Sequence, residues 1–92
     1  MEKLDNFRKE LNDLDAHLIK LLGRRFQIIR EVGEYKKASS IPMMQPKRVD
    51  EVKNRCVKLG EEFDLDGDFV RNLYSLIIDE ACRIEDIIID AK

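Results

Sequence analysis

The stretch that decides the fold is LLGRRFQIIREVGEYKK, residues 21–37. It ends a longer run in which apolar residues recur every third or fourth position, a spacing typical of a helix that packs against other helices. The apolar positions of this run are Leu4, Phe7, Leu11, Leu14, Leu18, Leu21, Ile28, Val32 and Tyr35. The pattern is interrupted at position 25, where an arginine stands. The sequence therefore predicts one long helix whose apolar side carries a positive charge.

Three helices are predicted, and no stretch has the alternating pattern of a strand. The first is expected over residues 4–37, followed by a loop at 38–45 where serine and proline stop the helix. Pro46 suits the first turn of the second helix, and Gly60 is predicted to cap its C-terminus. Asp66 is predicted to cap the N-terminus of the third. The fold class is all-α.

The two later helices carry apolar stripes of their own. The predicted stripe of the second helix is Val49, Val52, Cys56 and Leu59. The predicted stripe of the third helix is Phe69, Val70, Leu73, Leu76, Ile77, Ala81, Ile84 and Ile88. The three helices are expected to pack together through these stripes.

Composition narrows the class of protein. The 92 residues suit a single domain over 1–92, and 43% apolar residues in a periodic pattern exclude disorder. A formal net charge of -2 argues against a general nucleic-acid binder. The chain has no apolar run long enough for a membrane helix, and its charged N-terminus lacks a signal core. The lone cysteines Cys56 and Cys82 are interpreted as buried thiols in the reducing cytoplasm, without a metal.

The length of the first helix predicts an oligomer. A helix of this length spans about 50 Å, whereas a compact domain of this size has a radius of gyration of about 12 Å. The apolar stripe continues along the whole helix, so another surface must cover the part that overhangs. A second copy of the same chain is the simplest candidate, which predicts an intertwined helical homodimer.

Three cations lie on the inner side of the first helix. Arg25 occupies the seam, and Arg8 and Lys36 lie on the neighbouring row of the helix. An unpaired buried cation costs several kcal/mol, so each needs a partner. One explanation is an internal salt bridge to Asp15 or to acids of the third helix. The other is an anion site, which three inward cations favour, because arginine binds carboxylates and phosphates in a bidentate fashion.

One carboxylate also lies on an apolar face. Glu85 follows Ala81 by four residues and Ile77 by eight, so the three share one row of the third helix. A carboxyl group in such a place is either paired with a cation of the first helix or kept protonated by burial.

These features resemble the all-helical chorismate mutase family, the AroQ class, over nearly the whole chain. The resemblance implies three helices with a long first helix, an intertwined homodimer with shared active sites, and conversion of chorismate to prephenate without a metal or organic cofactor. The similar segments are FRKELNDLDAHLIKLLGRR, VGEYKK, LGEEFDLD and YSLIIDEACRIED, together with Pro42 and Arg48.

The resemblance also implies roles for individual residues. Arg8 of one subunit and Arg25 of the other would each bind a substrate carboxylate and hold the reactive conformer. Lys36 would stabilise the negative charge on the ether oxygen of the breaking C–O bond. Glu85 stands where the family has a Gln or Glu donor, and it can donate only when protonated. Arg48 is expected to line the same pocket.

Three positions depart from the family pattern. Val49 stands where bacterial mutases carry an acid, Gln45 replaces another acid, and Ala81 replaces a hydroxyl residue. These changes leave the substrate open between chorismate and 4-amino-4-deoxychorismate. An isochorismate–pyruvate lyase, similar at the Pro-x-Arg-Val step, is a second possibility. A non-catalytic helical dimerisation or regulatory module is a third.

Overall fold

The computed structural model describes residues 1–91, which form three α-helices and contain no strand. The helices are α1 (Glu2–Ser39), α2 (Pro46–Glu61) and α3 (Gly67–Asp90). The all-α prediction is confirmed, and α1 extends two residues beyond its predicted bounds at each end. No helix in this part of the chain is long and apolar enough to cross a membrane.

The predicted cap at the N-terminus of α3 is present, whereas the predicted cap at the C-terminus of α2 is not. Asp66 caps α3 as predicted, because its Oδ2 accepts a hydrogen bond from the Phe69 N–H at 2.9 Å. The prediction that Gly60 ends α2 was wrong, since the helix continues to Glu61 and Gly60 is buried inside it. A Cβ at position 60 would lie 3.1 Å from Val70 Cγ2. The absence of a side chain at Gly60 therefore allows α2 and α3 to pack closely.

The third helix lies at the centre of the molecule. Both α1 and α2 pack against α3, and within the described residues they do not pack against each other. The buried apolar side chains come mainly from α3, with one from α2: Val52, Val70, Ile77, Ala81 and Ile84. A space therefore remains between α1 and α2, with α3 as its floor.

The apolar stripe predicted for α3 divides into two rows. Val70, Ile77, Ala81 and Ile84 form the buried row described above. The other row is exposed, because neither α1 nor α2 of the same chain covers it, and Leu59 of α2 is exposed as well. The exposed residues of α3 are Phe69, Leu73 and Leu76. The sequence pattern identified these positions as apolar but could not show that only one row is covered within a single chain.

The first helix contacts the rest of its own chain only through its C-terminal half. Every residue from 1 to 21 is exposed. One apolar row stays exposed along the full length of α1, with exposed fractions from 44% to 65%. We call this the outer row, and its members are Phe7, Leu14, Leu21, Ile28 and Tyr35. The chain measures 56 × 27 × 15 Å, with a radius of gyration of 16.7 Å, well above that of a compact domain of this size.

Candidate active site

A cavity of about 550 Å³ lies between α1 and α2, above α3. The C-terminal half of α1 forms one wall, and α2 with the preceding loop forms the other. The residues lining it are Arg25, Ile28, Ile29, Val32, Lys36, Met43, Met44, Gln45, Arg48, Val49, Val52, Arg55, Ile78, Ala81, Cys82 and Glu85.

The cavity brings together every predicted site residue except Arg8. The residues that line it are Arg25, Lys36, Gln45, Arg48, Val49, Ala81 and Glu85. Arg8 lies on the exposed N-terminal half of α1, where its Nη1 is 3.8 Å from Asp5 Oδ1. Both of those side chains are well exposed, so this ion pair contributes little to stability. Within one chain, Arg8 is not part of the cavity.

Arg25 is a cation without a partner. Its Nη1 atom is buried and makes no hydrogen bond, and no carboxylate lies within ion-pair distance of its guanidinium in the described chain. The guanidinium carbon lies 5.9 Å from the centre of the Tyr74 ring, which partly compensates the charge. The internal salt bridge considered for Arg25 is therefore absent. A buried donor left unsatisfied in a cavity is suited to bind an anion.

Lys36 and Glu85 form an ion pair at the cavity wall. Lys36 Nζ lies 2.7 Å from Glu85 Oε1, with side-chain exposures of 14% and 7%. Lys36 also donates a hydrogen bond of 2.8 Å to the Met43 carbonyl in the loop. The approach to Oε1 lacks good hydrogen-bond angles, but the short separation makes it a direct charge contact. The internal ion pair considered for this carboxylate is thus present, and it faces the cavity.

The lining carries four cationic side chains against one carboxylate, a formal net charge of +3. Arg48 reaches only Glu51, at 3.7 Å, and both side chains are exposed, so solvent screens that pair. Arg55 makes no ion pair in the described chain. Such a cavity favours a small molecule with more than one negative charge.

Several lining residues were missed from sequence. Arg55 follows Arg48 by seven residues on α2, so helical spacing places both on the same face and could have identified it. Ile78 and Cys82 likewise share a row with Glu85 on α3. Met43 and Met44 carried no such signal, because helical periodicity does not extend into the loop before α2.

The two cysteines are half-buried rather than buried, and both are free. Burial raises the pKa of the Cys82 thiol, and the negative charges of Glu85 and nearby aspartates add to this. Cys82 therefore presents a neutral thiol to the cavity. Burial also raises the pKa of Tyr74, as does its hydrogen bond with Cys56, whereas the charges of Arg25 and Arg55 oppose the shift.

An all-helical scaffold with a cationic cavity is the kind of protein that suits a small, negatively charged molecule. The chain belongs to the chorismate mutase type II family, whose sequence profile matches residues 7–86. The resemblance inferred from the sequence is confirmed. The chain is therefore an isomerase of the chorismate mutase type, not a non-catalytic helical module.

Curated relatives agree with this assignment. A 4-amino-4-deoxychorismate mutase of Streptomyces venezuelae is 39% identical over 98% of this chain and 87% of its own length. One of Streptomyces pristinaespiralis is 38% identical over 92% of this chain and 66% of its own length. A chorismate mutase of Methanocaldococcus jannaschii is 28% identical over 86% of this chain and 80% of its own length.

Proposed function

We propose that this chain rearranges a chorismate-type dicarboxylate to the matching prephenate-type product, with 4-amino-4-deoxychorismate as the favoured substrate. The amino substrate is supported by similarity to the two Streptomyces relatives, at 39% and 38% identity, against 28% for the Methanocaldococcus relative. A dicarboxylate is supported by the charge of the cavity, which has a formal excess of three positive charges.

The observation that carries the proposal is the buried, unpartnered Nη1 of Arg25. A substrate carboxylate would complete its hydrogen bonding and displace no internal acid. Arg48 lines the opposite wall and is held only by a weak, exposed ion pair. Two carboxylates bound from opposite walls would keep the enolpyruvyl arm folded over the ring, so that the atoms to be joined are already close.

Lys36 and Glu85 would act on the breaking bond. In the rearrangement one C–O bond breaks as one C–C bond forms, with no net gain or loss of protons, and negative charge grows on the ether oxygen. The Lys36 ammonium is already oriented by Met43 and Glu85, so little reorganisation is needed for it to donate to that oxygen. Glu85 stands where the family has a second donor, and it supports the Lys36 ammonium from the floor of the cavity.

The three departures from the family pattern all lie on the cavity wall. Gln45, Val49 and Ala81 replace groups that would bind the ring substituent, and Glu85 is the single carboxylate of the lining. The substituent at C4 would therefore meet a neutral amide and apolar groups. This wall removes the anionic acceptor for a C4 hydroxyl, and the choice of the amino substrate rests on the comparisons.

We also propose that the chain is a homodimer. The outer row of α1, from Phe7 to Tyr35, is exposed over about 42 Å of helix. Contiguous apolar surfaces of this kind mark interaction sites. The exposed row of α3, Phe69, Leu73 and Leu76, offers a second apolar face. A second copy presents both surfaces, so each can cover the other with no further partner.

Arg8 gives the dimer a chemical role. It lies outside its own chain's cavity, on the part of α1 that has no intrachain cover. In a dimer this half of α1 would lie over the second chain, where Arg8 would join Arg48 in binding the second substrate carboxylate. We place this dimer in the cytoplasm, because free Cys56 and Cys82 suit a reducing compartment.

One assay tests the function. The purified protein is incubated separately with chorismate, 4-amino-4-deoxychorismate and isochorismate, and the products are separated by chromatography. We expect the amino-prephenate product to form fastest. Salicylate plus pyruvate from isochorismate would instead favour the lyase. Absence of turnover with all three substrates would overturn the proposal.

A further inference from the structure

Arg55 lies at the rim of the cavity, on α2, and no described acid neutralises it. The residue four positions before it, Glu51, lies beside Arg48 at 3.7 Å, and the residue four positions after it is Leu59. Asn54, the preceding residue, accepts a hydrogen bond from Arg71 instead. The Arg55 guanidinium thus has no hydrogen-bond or ion-pair partner among residues 1–91, and it lines a cavity that holds other cations.

Arg25 and Arg55 line the same cavity from different helices, Arg25 from α1 and Arg55 from α2. The Arg25 guanidinium carbon is 5.9 Å from the centre of the Tyr74 ring. Burial raises the pKa of Tyr74, and the positive charges of both arginines oppose that shift. Two cations in one cavity repel each other, and an anion bound between them removes that repulsion. No carboxylate of the described residues lies within ion-pair distance of either guanidinium, and Arg25 Nη1 is buried without a hydrogen-bond partner.

From this geometry we propose that Arg55 and Arg25, near Tyr74, form a two-arginine subsite for one substrate carboxylate. Arg25 supplies the buried hydrogen bonds, and Arg55 closes the subsite from the α2 side at the rim. The proposal rests on the proposed function, because it assumes a carboxylate ligand. It adds Arg55 to the substrate-binding residues and leaves the bond-breaking step to Lys36 and Glu85.

The test compares Arg55→Gln and Arg55→Lys with the wild type under steady-state conditions, using the substrate that is turned over. Loss of one charge-assisted hydrogen bond at a partly solvated rim predicts a rise in KM of about tenfold for Arg55→Gln, with kcat little changed. Arg55→Lys keeps the charge but not the bidentate contact, so its KM should lie between that of the wild type and that of Arg55→Gln. Lys58→Gln is the matched control, because it removes one positive charge from α2 away from the cavity.

The KM of Lys58→Gln should equal that of the wild type. An unchanged KM in Arg55→Gln, or an equal rise in Lys58→Gln, would overturn the subsite while the proposed function stands. If the wild type turns over none of the substrates, the same variants are titrated with prephenate, a product dianion, by calorimetry. Weaker binding of prephenate by Arg55→Gln, with unchanged binding by Lys58→Gln, then supports the subsite. Equal binding by Arg55→Gln and the wild type, or no binding by the wild type, overturns it.

Discussion

Arg25 is partly buried in a way that destabilises the free protein but prepares it to bind an anion. Its Nη1 atom is buried with no hydrogen-bond partner, a state that an apoprotein tolerates only at a cost of about 1–3 kcal/mol. A salt bridge to an internal acid would have removed that cost. The unfilled hydrogen-bonding capacity therefore points to an occupant of the cavity.

The first prediction concerns this side chain. Arg25→Ala should lower kcat/KM by at least about a hundredfold, because it removes charge-assisted hydrogen bonds to the substrate. The fold should persist, since truncation leaves no charge unpaired, and circular dichroism with thermal unfolding checks this. Arg24→Ala, at the exposed neighbouring position, is the control and should be fully active. If Arg25→Ala unfolds and Arg25→Leu restores both fold and rate, Arg25 is a packing residue.

The second prediction concerns Glu85, whose carboxyl group lies 2.7 Å from Lys36 Nζ. Glu85→Ala should lower kcat by about a hundredfold, because it removes the support of the Lys36 ammonium and the group that stands where the family has a second donor. Glu85→Gln keeps a polar side chain of the same size with a permanent donor, so most of kcat should be retained. Steady-state kinetics of the two variants measures the difference. An equal loss of kcat in both variants would show that position 85 supplies no donor.

At the scale of elements, two glycines of α1 have different surroundings. A Cβ at Gly23 would meet no atom within 4 Å, whereas a Cβ at Gly33 would lie 3.3 Å from Ile88 Cδ1. Gly33 is buried, so its missing side chain lets α1 and α3 approach closely. This contact fixes the wall of the cavity that carries Lys36, one turn further along α1.

The third prediction uses these two glycines as a matched pair. Gly23→Ala should raise the free energy of unfolding by up to about 1 kcal/mol, the difference in helix propensity. Gly33→Ala should raise the free energy of unfolding by less, or lower it, because Ile88 must shift by a few tenths of an ångström to admit the methyl group. Urea denaturation of both variants measures the difference. Equal stabilisation by the two changes would mean that the α1–α3 contact is looser than described.

The helices could be predicted from sequence because each is marked by a local signal. Apolar spacing marks α1, Pro46 opens α2, and the Asp66 side chain caps α3. Gly60 was misassigned because a glycine near a helix end suits both a cap and a close contact, and only the position of Val70 distinguishes them. The exposed row of α3 could not be predicted, since periodicity shows which residues are apolar but not which neighbour covers them.

The candidate site was predicted through its charges more than its shape. Inward cations on α1 and an acid on an apolar row of α3 identified Lys36 and Glu85, which the fold brings to 2.7 Å. The loop contact of Lys36 with the Met43 carbonyl depends on backbone geometry that no spacing encodes. Arg55 had a detectable helical signal and was passed over. The assignment of all 92 residues to one domain stays a prediction.

At the scale of the whole molecule, the proposed dimer makes each active site depend on two chains. The fourth prediction is a complementation experiment. Arg8→Ala and Arg25→Ala should each be inactive alone, and co-refolding equal amounts should restore about a quarter of the wild-type activity, because half the dimers are mixed and each has one intact site. Native mass spectrometry confirms that mixed dimers have formed. A mixture as inactive as its components would contradict sharing of the site between subunits.

The Lys36 ammonium also forms a hydrogen bond with the backbone of the loop between α1 and α2. Its hydrogen bond to the Met43 carbonyl ties the connection between α1 and α2 to the nitrogen atom that we propose acts on the ether oxygen. A change in this loop would therefore also move the Lys36 amine. A change in the length or rigidity of residues 40–45, made to admit a bulkier substrate, would at the same time shift the Lys36 amine. The range of substrates accepted and the reaction rate should therefore change together.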